Sequence, residues 1–357
     1  MINVTQTYLP DKEKYFEILK RAWDKKWITN NGELLLELET KLKDYLGVKY
    51  CYFTGNGTIA LQIAIKALDV ANEVITTPFS YVATTNSILW EKCTPVFVDI
   101  NDTDYNIDPS KIERLITPRT QAIMAVHVYG NPCHVFQIEE IARKHNLKVI
   151  YDGAHAFGTV YKGKQLLSYG DISTCSFHAT KLFHTVEGGC IITNDDELAR
   201  KIYLMRSFGH ESDNYYGIGI NGKNSEFHAA MGLAVLPDIE LIINKREELF
   251  LLYKELLKQT SLYIPEPINH TVRNYAYFPV VFDTEEQMLK VKSVLFKNGV
   301  NVRRYFYPSL NLLPHVGNAE NCPISENVSK KVICLPLFPE LNKEQVVLIT
   351  NLIKHCL

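Results

Sequence analysis

Apolar residues in the first part of the chain alternate between short, dense runs and longer runs with helical spacing. The dense runs lie at residues 50–53, 73–76, 95–98, 122–128 and 148–151, and helical segments lie between them at residues 59–68, 82–90, 109–115 and 135–145. Strand-sized runs that alternate with helices predict a mainly parallel sheet covered by helices on both faces. Ligands of such sheets bind where the strands end. The pattern therefore predicts an α/β fold and the edge of the sheet that carries the site.

The flanking segments predict further helices. Residues 12–46 have the pattern of two helices around an Asn- and Gly-rich turn at residues 26–32. Close to Pro237 the pattern changes to one long amphipathic helix at residues 238–259. The segments beyond it predict strands at residues 275–282, 301–307 and 331–334 and helices at residues 285–297 and 343–355, the last with Asn342 as its N-cap. We expect a large α/β domain over residues 1–236 and a smaller α+β domain over residues 237–357.

Composition narrows the class of protein. The 357 residues are 46% hydrophobic, which allows a substantial core and favours two domains. The 38 Lys and Arg against 40 Asp and Glu give no basic excess, so we expect no nucleic-acid partner. No segment has the pattern of a signal peptide or a membrane span, and we expect a cytoplasmic protein. The eight cysteines form no Cys-x-x-Cys pair, and the histidines lack metal-ligand spacing with carboxylates, so we expect reduced thiols and no metal.

The candidate chemistry centres on Lys181, which ends the segment Ser-Phe-His-Ala-Thr-Lys at residues 176–181, and on Asp152, which ends an apolar run. A lysine amine forms a Schiff base with an aldehyde, and an aspartate can keep a pyridine nitrogen protonated. A single lysine is most often a surface residue, and an aspartate at a strand end is most often a cap. Together, in this order, they predict pyridoxal 5′-phosphate (PLP) chemistry.

Two other segments bear on a phosphate-containing cofactor. The loop at residues 54–58, Thr-Gly-Asn-Gly-Thr, follows a strand and opens a helix, so its free N–H groups and the helix dipole predict an anion site. Seen alone, it would be an ordinary turn. Residues 217–222 match the dinucleotide pattern G-x-G-x-x-G, but the residues before them are too polar for a core strand. We therefore reject a dinucleotide site there.

With Gly57, Thr58, Asp152, residues 176–178 and Lys181 in this order, the chain resembles the DegT/DnrJ/EryC1/StrS family of PLP-dependent sugar aminotransferases. The resemblance covers nearly the whole chain. Further similar segments lie at residues 27–32, 78–84, 95–99, 128–130, 322–323 and 335–337. It implies the fold-type I PLP-dependent transferase fold, in which helices sandwich a mixed, mainly parallel sheet beside a smaller C-terminal domain.

The resemblance also implies the roles of the site residues. Lys181 would form the Schiff base and carry the proton, Asp152 would pair with the ring nitrogen, and His155 would contact the ring hydroxyl. The remaining roles would be phosphate binding by Gly57, Thr58 and Ser176, stacking on the ring by Tyr81, and phosphate binding from the neighbouring subunit by Asn221. The last role implies a homodimer with shared sites. Taken alone, Tyr81 could be a core aromatic residue and Asn221 a turn former.

The implied activity is transfer of an amino group from L-glutamate to a nucleotide-linked keto-6-deoxysugar, with pyridoxamine 5′-phosphate as the intermediate form of the cofactor. Residues 76–81 and 177–185 are similar to the branch that makes dTDP-4-amino-4,6-dideoxyglucose for O-antigen. Alternatives are a 3-aminotransferase acting on the isomeric keto sugar and a PLP-binding sensor without turnover. Lys223 stands where the family often has arginine, and residues 307–310 replace the frequent Pro-x-His. The retained Lys181 argues against the dehydrating branch.

Overall fold

The computed structural model describes residues 1–317 and 319–357. Its helices are α1 (Lys12–Lys25), α2 (Glu33–Leu46), α3 (Gly57–Ala67), α4 (Val82–Trp90), α5 (Val135–His145), α6 (Asp196–Arg206), α7 (Glu226–Val235), α8 (Ile239–Leu257), α9 (Glu285–Lys297), α10 (Pro323–Lys331) and α11 (Lys343–Lys354). No helix in these two ranges is both long and apolar enough to cross a bilayer.

A seven-stranded sheet forms the centre of the molecule. Its strands are β1 (Tyr50–Thr54), β2 (Glu73–Thr76), β3 (Thr94–Phe97), β4 (Thr120–Val126), β5 (Lys148–Asp152), β6 (Ile172–Ser176) and β7 (Gly189–Thr193). They lie in the order β1-β7-β6-β5-β4-β2-β3, and β7 runs antiparallel to both of its neighbours. Helices cover the sheet, as the alternating pattern predicts, and the predicted mixed, mainly parallel α/β fold is confirmed.

The register of the parallel strands brings their C-terminal ends to one level. Asp152 is paired with Val126 on one side and with Thr174 on the other. On the far side, antiparallel β7 starts at Gly189, which is paired with both Ser176 and Thr54. The predicted lysine loop therefore leaves the sheet at the edge where Asp152 ends its strand.

The C-terminal part has its own apolar cluster. Its antiparallel strands β8 (Phe278–Val281) and β9 (Val332–Leu335) pack with α8, α9 and α11 around buried residues that include Phe278, Met288 and Ile349. The remaining strands are two residues long: Ile2–Asn3, Val160–Tyr161, Lys164–Gln165, His210–Glu211, Asn214–Tyr215, Thr271–Val272 and Val300–Asn301. The domain boundary after residue 236 stays a prediction.

Two predicted elements differ from the structure. Of the strand predicted at residues 301–307, only Asn301 lies in a strand, the short Val300–Asn301, which pairs with Ile2–Asn3. Beyond the bridge at Arg303, Tyr305 and Phe306 line a cavity instead. Residues 109–115 form two short 3₁₀ turns, Pro109–Lys111 and Glu113–Leu115, rather than a helix. The long helix expected at residues 238–259 is α8.

Candidate active site

A cavity of about 450 Å³ lies at the edge of the sheet where β4, β5 and β6 end. Its floor is formed by those strand ends and by the start of α3, and its other walls come from the lysine loop and the C-terminal part of the chain. Seven of the eight predicted site residues line it: Gly57, Thr58, Tyr81, Asp152, His155, Ser176 and Lys181. The structure thus brings together residues that are more than a hundred positions apart.

Asp152 is a buried carboxylate held by two donors. Its Oδ2 accepts a hydrogen bond from Thr84 Oγ1 at 2.7 Å, and its Oδ1 accepts one from Ala154 N at 3.1 Å. The hydroxyl of Ser80 lies 2.8 Å from that of Thr84 and extends the network. Burial raises the pKa of Asp152, and the two hydrogen bonds and the charge of Lys181 oppose part of that increase. The carboxylate is fixed in place and would gain from a cationic partner.

Lys181 lies half-buried on the wall of the same cavity. Its backbone N donates to His178 O at 2.8 Å, which closes a tight turn after β6. Its Nζ donates to the hydroxyl of Tyr277 at 3.3 Å. The amine is therefore directed into the cavity by a turn on one side and a phenol on the other.

His155 packs between two aromatic rings. Its ring lies parallel to that of Phe306, with centroids 5.7 Å apart, and meets the edge of Tyr277 at 4.8 Å. Burial, with a smaller contribution from Lys181, lowers the pKa of His155 well below its usual value, so the ring is neutral. Its buried Nδ1 has no hydrogen-bond partner among the described residues. An unsatisfied buried nitrogen at a cavity wall suits a ligand that supplies the missing hydrogen bond.

The first turn of α3 forms an anion cradle with the end of β6. Asn56 caps the helix by accepting from Ile59 N at 2.8 Å, and Asn56, Gly57 and Thr58 all face the cavity. A Cβ on Gly57 would lie only 3.0 Å from the Cβ of Ser176, so glycine allows the helix start to approach the strand end. The free N–H groups at the start of α3 and the hydroxyl of Ser176 then lie close together at the cavity wall, an arrangement that suits a phosphate.

The two remaining predicted residues differ in position. Tyr81, whose side chain is 59% exposed, lies on the cavity wall just before α4. Asn221 is exposed, is not part of the cavity wall of its own chain, and accepts a hydrogen bond from Lys223 Nζ at 3.1 Å. Its predicted contact with a neighbouring subunit stays a prediction.

Several residues of the site were missed from the sequence. Thr84 lies within the segment at residues 78–84 that already indicated the family, so its place in the first turn of α4, four positions after Ser80, was an available signal. Tyr277, Arg303, Tyr305 and Phe306 also line the cavity. They come from the C-terminal part and carry no local motif, so only the tertiary fold reveals them.

Comparisons with known proteins agree with this geometry. A family model described as the DegT/DnrJ/EryC1/StrS aminotransferase family matches residues 10–354. The dTDP-4-amino-4,6-dideoxy-D-glucose transaminase of Escherichia coli is 43% identical over 363 residues, which cover 99% of this chain and 98% of that protein. GDP-perosamine synthase of Escherichia coli O157:H7 is 34% identical over 359 residues, with 99% and 98% covered.

Solved structures give the same result at the level of the fold. A crystal structure of DesI in the presence of its TDP-sugar product has a TM-score of 0.95 at 32% identity, covering 99% of this chain and 92% of that one. Helicobacter pylori PseC, an aminotransferase involved in the biosynthesis of pseudoaminic acid, has a TM-score of 0.92 at 29% identity, with 99% and 98% covered. On this evidence the chain belongs to the DegT/DnrJ/EryC1/StrS aminotransferase family.

Proposed function

We propose that this sugar aminotransferase transfers the amino group of L-glutamate to C4 of dTDP-4-keto-6-deoxyglucose and so makes dTDP-4-amino-4,6-dideoxyglucose for O-antigen or another surface glycan. The observation that carries the proposal is one cavity in which a buried carboxylate, a lysine amine and a helix-start anion cradle face the same space. The 43% identity to a transaminase named for this product supports the substrate.

The residues present fit PLP. Asp152 and His155 would hold the ring, and Gly57, Thr58 and Ser176 would hold the phosphate. When bound, the cofactor supplies an aldehyde that carries the amino group and a protonated ring that accepts electrons from the substrate carbon. Asp152 keeps a proton on the ring nitrogen, because the bond from Thr84 fixes the carboxylate and a cationic partner offsets its burial.

Lys181 moves the proton that transamination requires. The base must reach the substrate carbon, release its proton nearby, and remain shielded from bulk water. Lys181 is half-buried at the cavity wall, and the tight turn at its backbone holds the start of its side chain. One amine at this point of the cavity can then take a proton from one carbon and return it to the next.

The walls of the cavity suit a nucleotide-linked sugar. The Arg303 guanidinium lies over the ring of Tyr305 at 5.7 Å and forms no ion pair within residues 1–317 and 319–357. It offers a cation for the diphosphate of the substrate. Tyr81, Tyr277 and Phe306 add flat apolar surfaces against which sugar and base rings can pack.

The isomeric reaction at C3 is the second candidate. The dTDP-3-amino-3,6-dideoxy-alpha-D-galactopyranose transaminase of Aneurinibacillus thermoaerophilus is 32% identical over 355 residues, covering 97% of this chain. The higher identity to the 4-amino enzyme favours C4. The choice depends on which of the two keto sugars the cavity accepts.

Two measurements test the proposal. Addition of L-glutamate to PLP-loaded protein should bleach the visible absorption band, which reports the donor half-reaction. Incubation with the 4-keto or the 3-keto dTDP sugar, followed by NMR of the product, should show an amine at C4 and turnover of the first sugar only. Amination at C3 would support the second candidate, and no bleaching with L-glutamate would contradict the proposed donor.

Lys181→Ala provides the catalytic control for both measurements. Loss of the covalent amine should reduce turnover by more than about 10³-fold. Lys162→Ala is the matched variant, because Lys162 lies over the ring of Phe136 and is not part of the cavity wall. Near-normal turnover by Lys181→Ala would remove Lys181 from the reaction.

A further inference from the structure

Tyr277 lies on the cavity wall just before β8 and contacts two residues of the proposed site, Lys181 and His155. Its hydroxyl accepts from Lys181 Nζ at 3.3 Å, and its ring edge packs against His155 with centroids 4.8 Å apart. Tyr305 packs edge-on against its other side at 5.7 Å. Lys181 is the one hydrogen-bond partner of this hydroxyl among the described residues.

The backbone around Tyr277 is fixed from two directions. Asn274 donates through Nδ2 to the carbonyl oxygens of His155 at 2.7 Å and Phe157 at 2.9 Å. The buried Arg246 on α8 donates to the carbonyl oxygens of Ala276 at 3.2 Å and Leu337 at 2.9 Å. These bonds tie Tyr277 to the segment that follows Asp152 and to the C-terminal core. Its hydroxyl is therefore a rigid point in the cavity.

We infer that Tyr277 is a positioning residue that holds the free amine of Lys181 in its reactive place, an inference that rests on the proposed role of Lys181. The amine is free before it captures the cofactor and again while it moves a proton. An ammonium group only donates hydrogen bonds, whereas a neutral amine also accepts them, and a phenol can serve both forms. The contact therefore persists whichever protonation state Lys181 takes.

The physical gain is orientation. A lysine amine stands on a flexible four-carbon stem, and an amine that must attack or take a proton benefits from being held near one position. In cofactor capture the neutral amine of Lys181 would bond to the aldehyde carbon, and its two hydrogens would leave with the aldehyde oxygen as water to give a C=N bond. In proton transfer the same nitrogen takes a proton from the substrate carbon. Tyr277 serves both steps through one contact.

Tyr277→Phe tests the inference because it keeps the ring and removes only the hydroxyl. In apoprotein mixed with PLP, the rate of covalent capture should fall by about three- to tenfold, the range expected for one lost hydrogen bond. Capture is followed by absorbance and verified by borohydride, which adds hydride to the C=N carbon and fixes the cofactor on Lys181 for mass spectrometry. Exchange of the α-hydrogen of L-glutamate in D₂O should slow by a similar factor, while the Kd for dTDP should stay unchanged.

Tyr253→Phe is the matched control. Tyr253 on α8 is buried, its hydroxyl has no hydrogen-bond partner among the described residues, and it lies in the C-terminal core rather than on the cavity wall. It should leave capture and exchange at the wild-type rates. Normal rates of both in Tyr277→Phe would overturn the inference. Failure of the wild-type protein to capture PLP on Lys181 would instead overturn the proposed function.

A fluorinated tyrosine at position 277 provides the second variant, because it keeps the shape of the residue and makes its oxygen a weaker hydrogen-bond acceptor. If the hydroxyl holds Lys181 by accepting from its Nζ, the rate of capture should fall while the Kd for dTDP stays unchanged. A residue that only fills space would leave the rate of capture unchanged. That result would overturn the inference even if Tyr277→Phe failed to fold.

Discussion

Burial disfavours the charged form of the Asp152 carboxylate. The stability of the protein therefore depends on whether this group is protonated and on which charges lie close to it. Its raised pKa means that the apoprotein gains stability when the group is protonated and loses it as pH rises through the folded-state pKa. Asp152→Asn should therefore unfold at a higher temperature than wild type when both are free of cofactor at pH 8. The difference should shrink as the pH falls toward the usual value of 3.8.

Cofactor binding should reduce the difference in thermal stability between Asp152→Asn and wild type. A protonated ring nitrogen gives the Asp152 carboxylate a partner that the asparagine amide cannot use, so PLP should raise the thermal midpoint of wild type more than that of Asp152→Asn. Differential scanning fluorimetry with and without PLP measures both shifts. Asp69→Asn, an exposed aspartate paired with Lys201, serves as the control. Equal shifts in wild type and Asp152→Asn would argue against a ring-nitrogen contact.

The neighbouring residues Arg303 and Arg304 form a natural pair for testing the anion site. Arg304 forms an ion pair with Glu285 at 2.8 Å, and its guanidinium carbon lies 3.5 Å from the ring centroid of Tyr307. Arg303, by contrast, lines the cavity. Arg303→Gln should weaken dTDP binding by about tenfold, as expected for a lost charge-assisted hydrogen bond. Isothermal titration measures the Kd. Arg304→Gln should leave it nearly unchanged.

A different outcome for Arg303→Gln would identify another anion. If the Kd for dTDP stays constant while KM for L-glutamate rises, the guanidinium binds the carboxylate of the donor rather than the diphosphate. That result would contradict the proposed role of Arg303 in nucleotide recognition. It would leave the role of Lys181 unaffected.

At the scale of elements, the loop between β6 and β7 that carries Lys181 also contains a strained residue, Val186. Val186 has φ of 68° and is 45% exposed, and a β-branched side chain is disfavoured in this left-handed region. Val186→Gly should raise the free energy of unfolding by about 0.5–1 kcal/mol, because the relieved strain exceeds the chain entropy that glycine adds. Urea unfolding measures the change.

Val186→Ala separates strain from packing in that test. Alanine keeps a Cβ at positive φ, so it should recover less stability than glycine. A decrease in stability with glycine would show that contacts of the valine side chain outweigh the strain. The activity of Val186→Gly would then report whether the loop must be rigid to hold Lys181.

The elements predicted correctly from the sequence are those that depend on local patterns of apolar residues. Apolar runs such as residues 148–151 predicted β5 because a strand buried on both faces needs a continuous apolar run. Residues 301–307 also contain apolar and aromatic residues, yet Arg303, Tyr305 and Phe306 line the cavity instead of continuing a strand. Composition alone could not distinguish a strand from an aromatic cavity wall.

The same distinction separates the predicted site residues from the missed ones. Gly57 begins α3, Ser176 ends β6 and Lys181 lies in the turn that follows, and short motifs define the local structure at these places. Tyr277 and Arg303 reach the cavity only because the C-terminal part packs over the edge of the sheet. The sequence contains no periodic or local signal for such a contact, since it depends on how distant elements pack.

At the scale of the whole molecule, buried histidines should make the apoprotein sensitive to acid. Burial lowers the pKa of His127 to about 3 and that of His155 well below its usual value. The unfolded chain therefore takes up protons first, and stability is lost as the pH falls through the unfolded value of about 6.5. Between pH 7.5 and 5.5 each of these two residues should cost about 1.4 kcal/mol.

One histidine opposes this loss. The contact between His134 and Asp104 raises the pKa of His134, so its protonation favours the folded state at low pH. Urea unfolding of apoprotein across this pH range measures the net effect, and His127→Gln should make the dependence less steep. A free energy of unfolding that stays constant from pH 7.5 to 5.5 would contradict the expected dominance of His127 and His155.

Asn221 provides a test of the predicted homodimer with shared sites. It lies at the end of an exposed segment in which Tyr215 and Ile218 have little cover, and it is not part of the cavity wall of its own chain. If it completes the site of a neighbouring subunit, Lys181→Ala and Asn221→Ala impair opposite halves of one shared site. A mixed dimer then carries one intact site and one that lacks both residues.

Mixing the two variants should therefore restore activity. At limiting PLP, Lys181→Ala should be inactive and Asn221→Ala weak, because the first lacks the amine and the second binds the phosphate less tightly. After random re-pairing, about one quarter of the sites should be intact, so the mixture should approach that fraction of wild-type turnover. Turnover equal to the mean of the separate variants would place Asn221 outside the site of the partner subunit, since independent sites cannot complement each other.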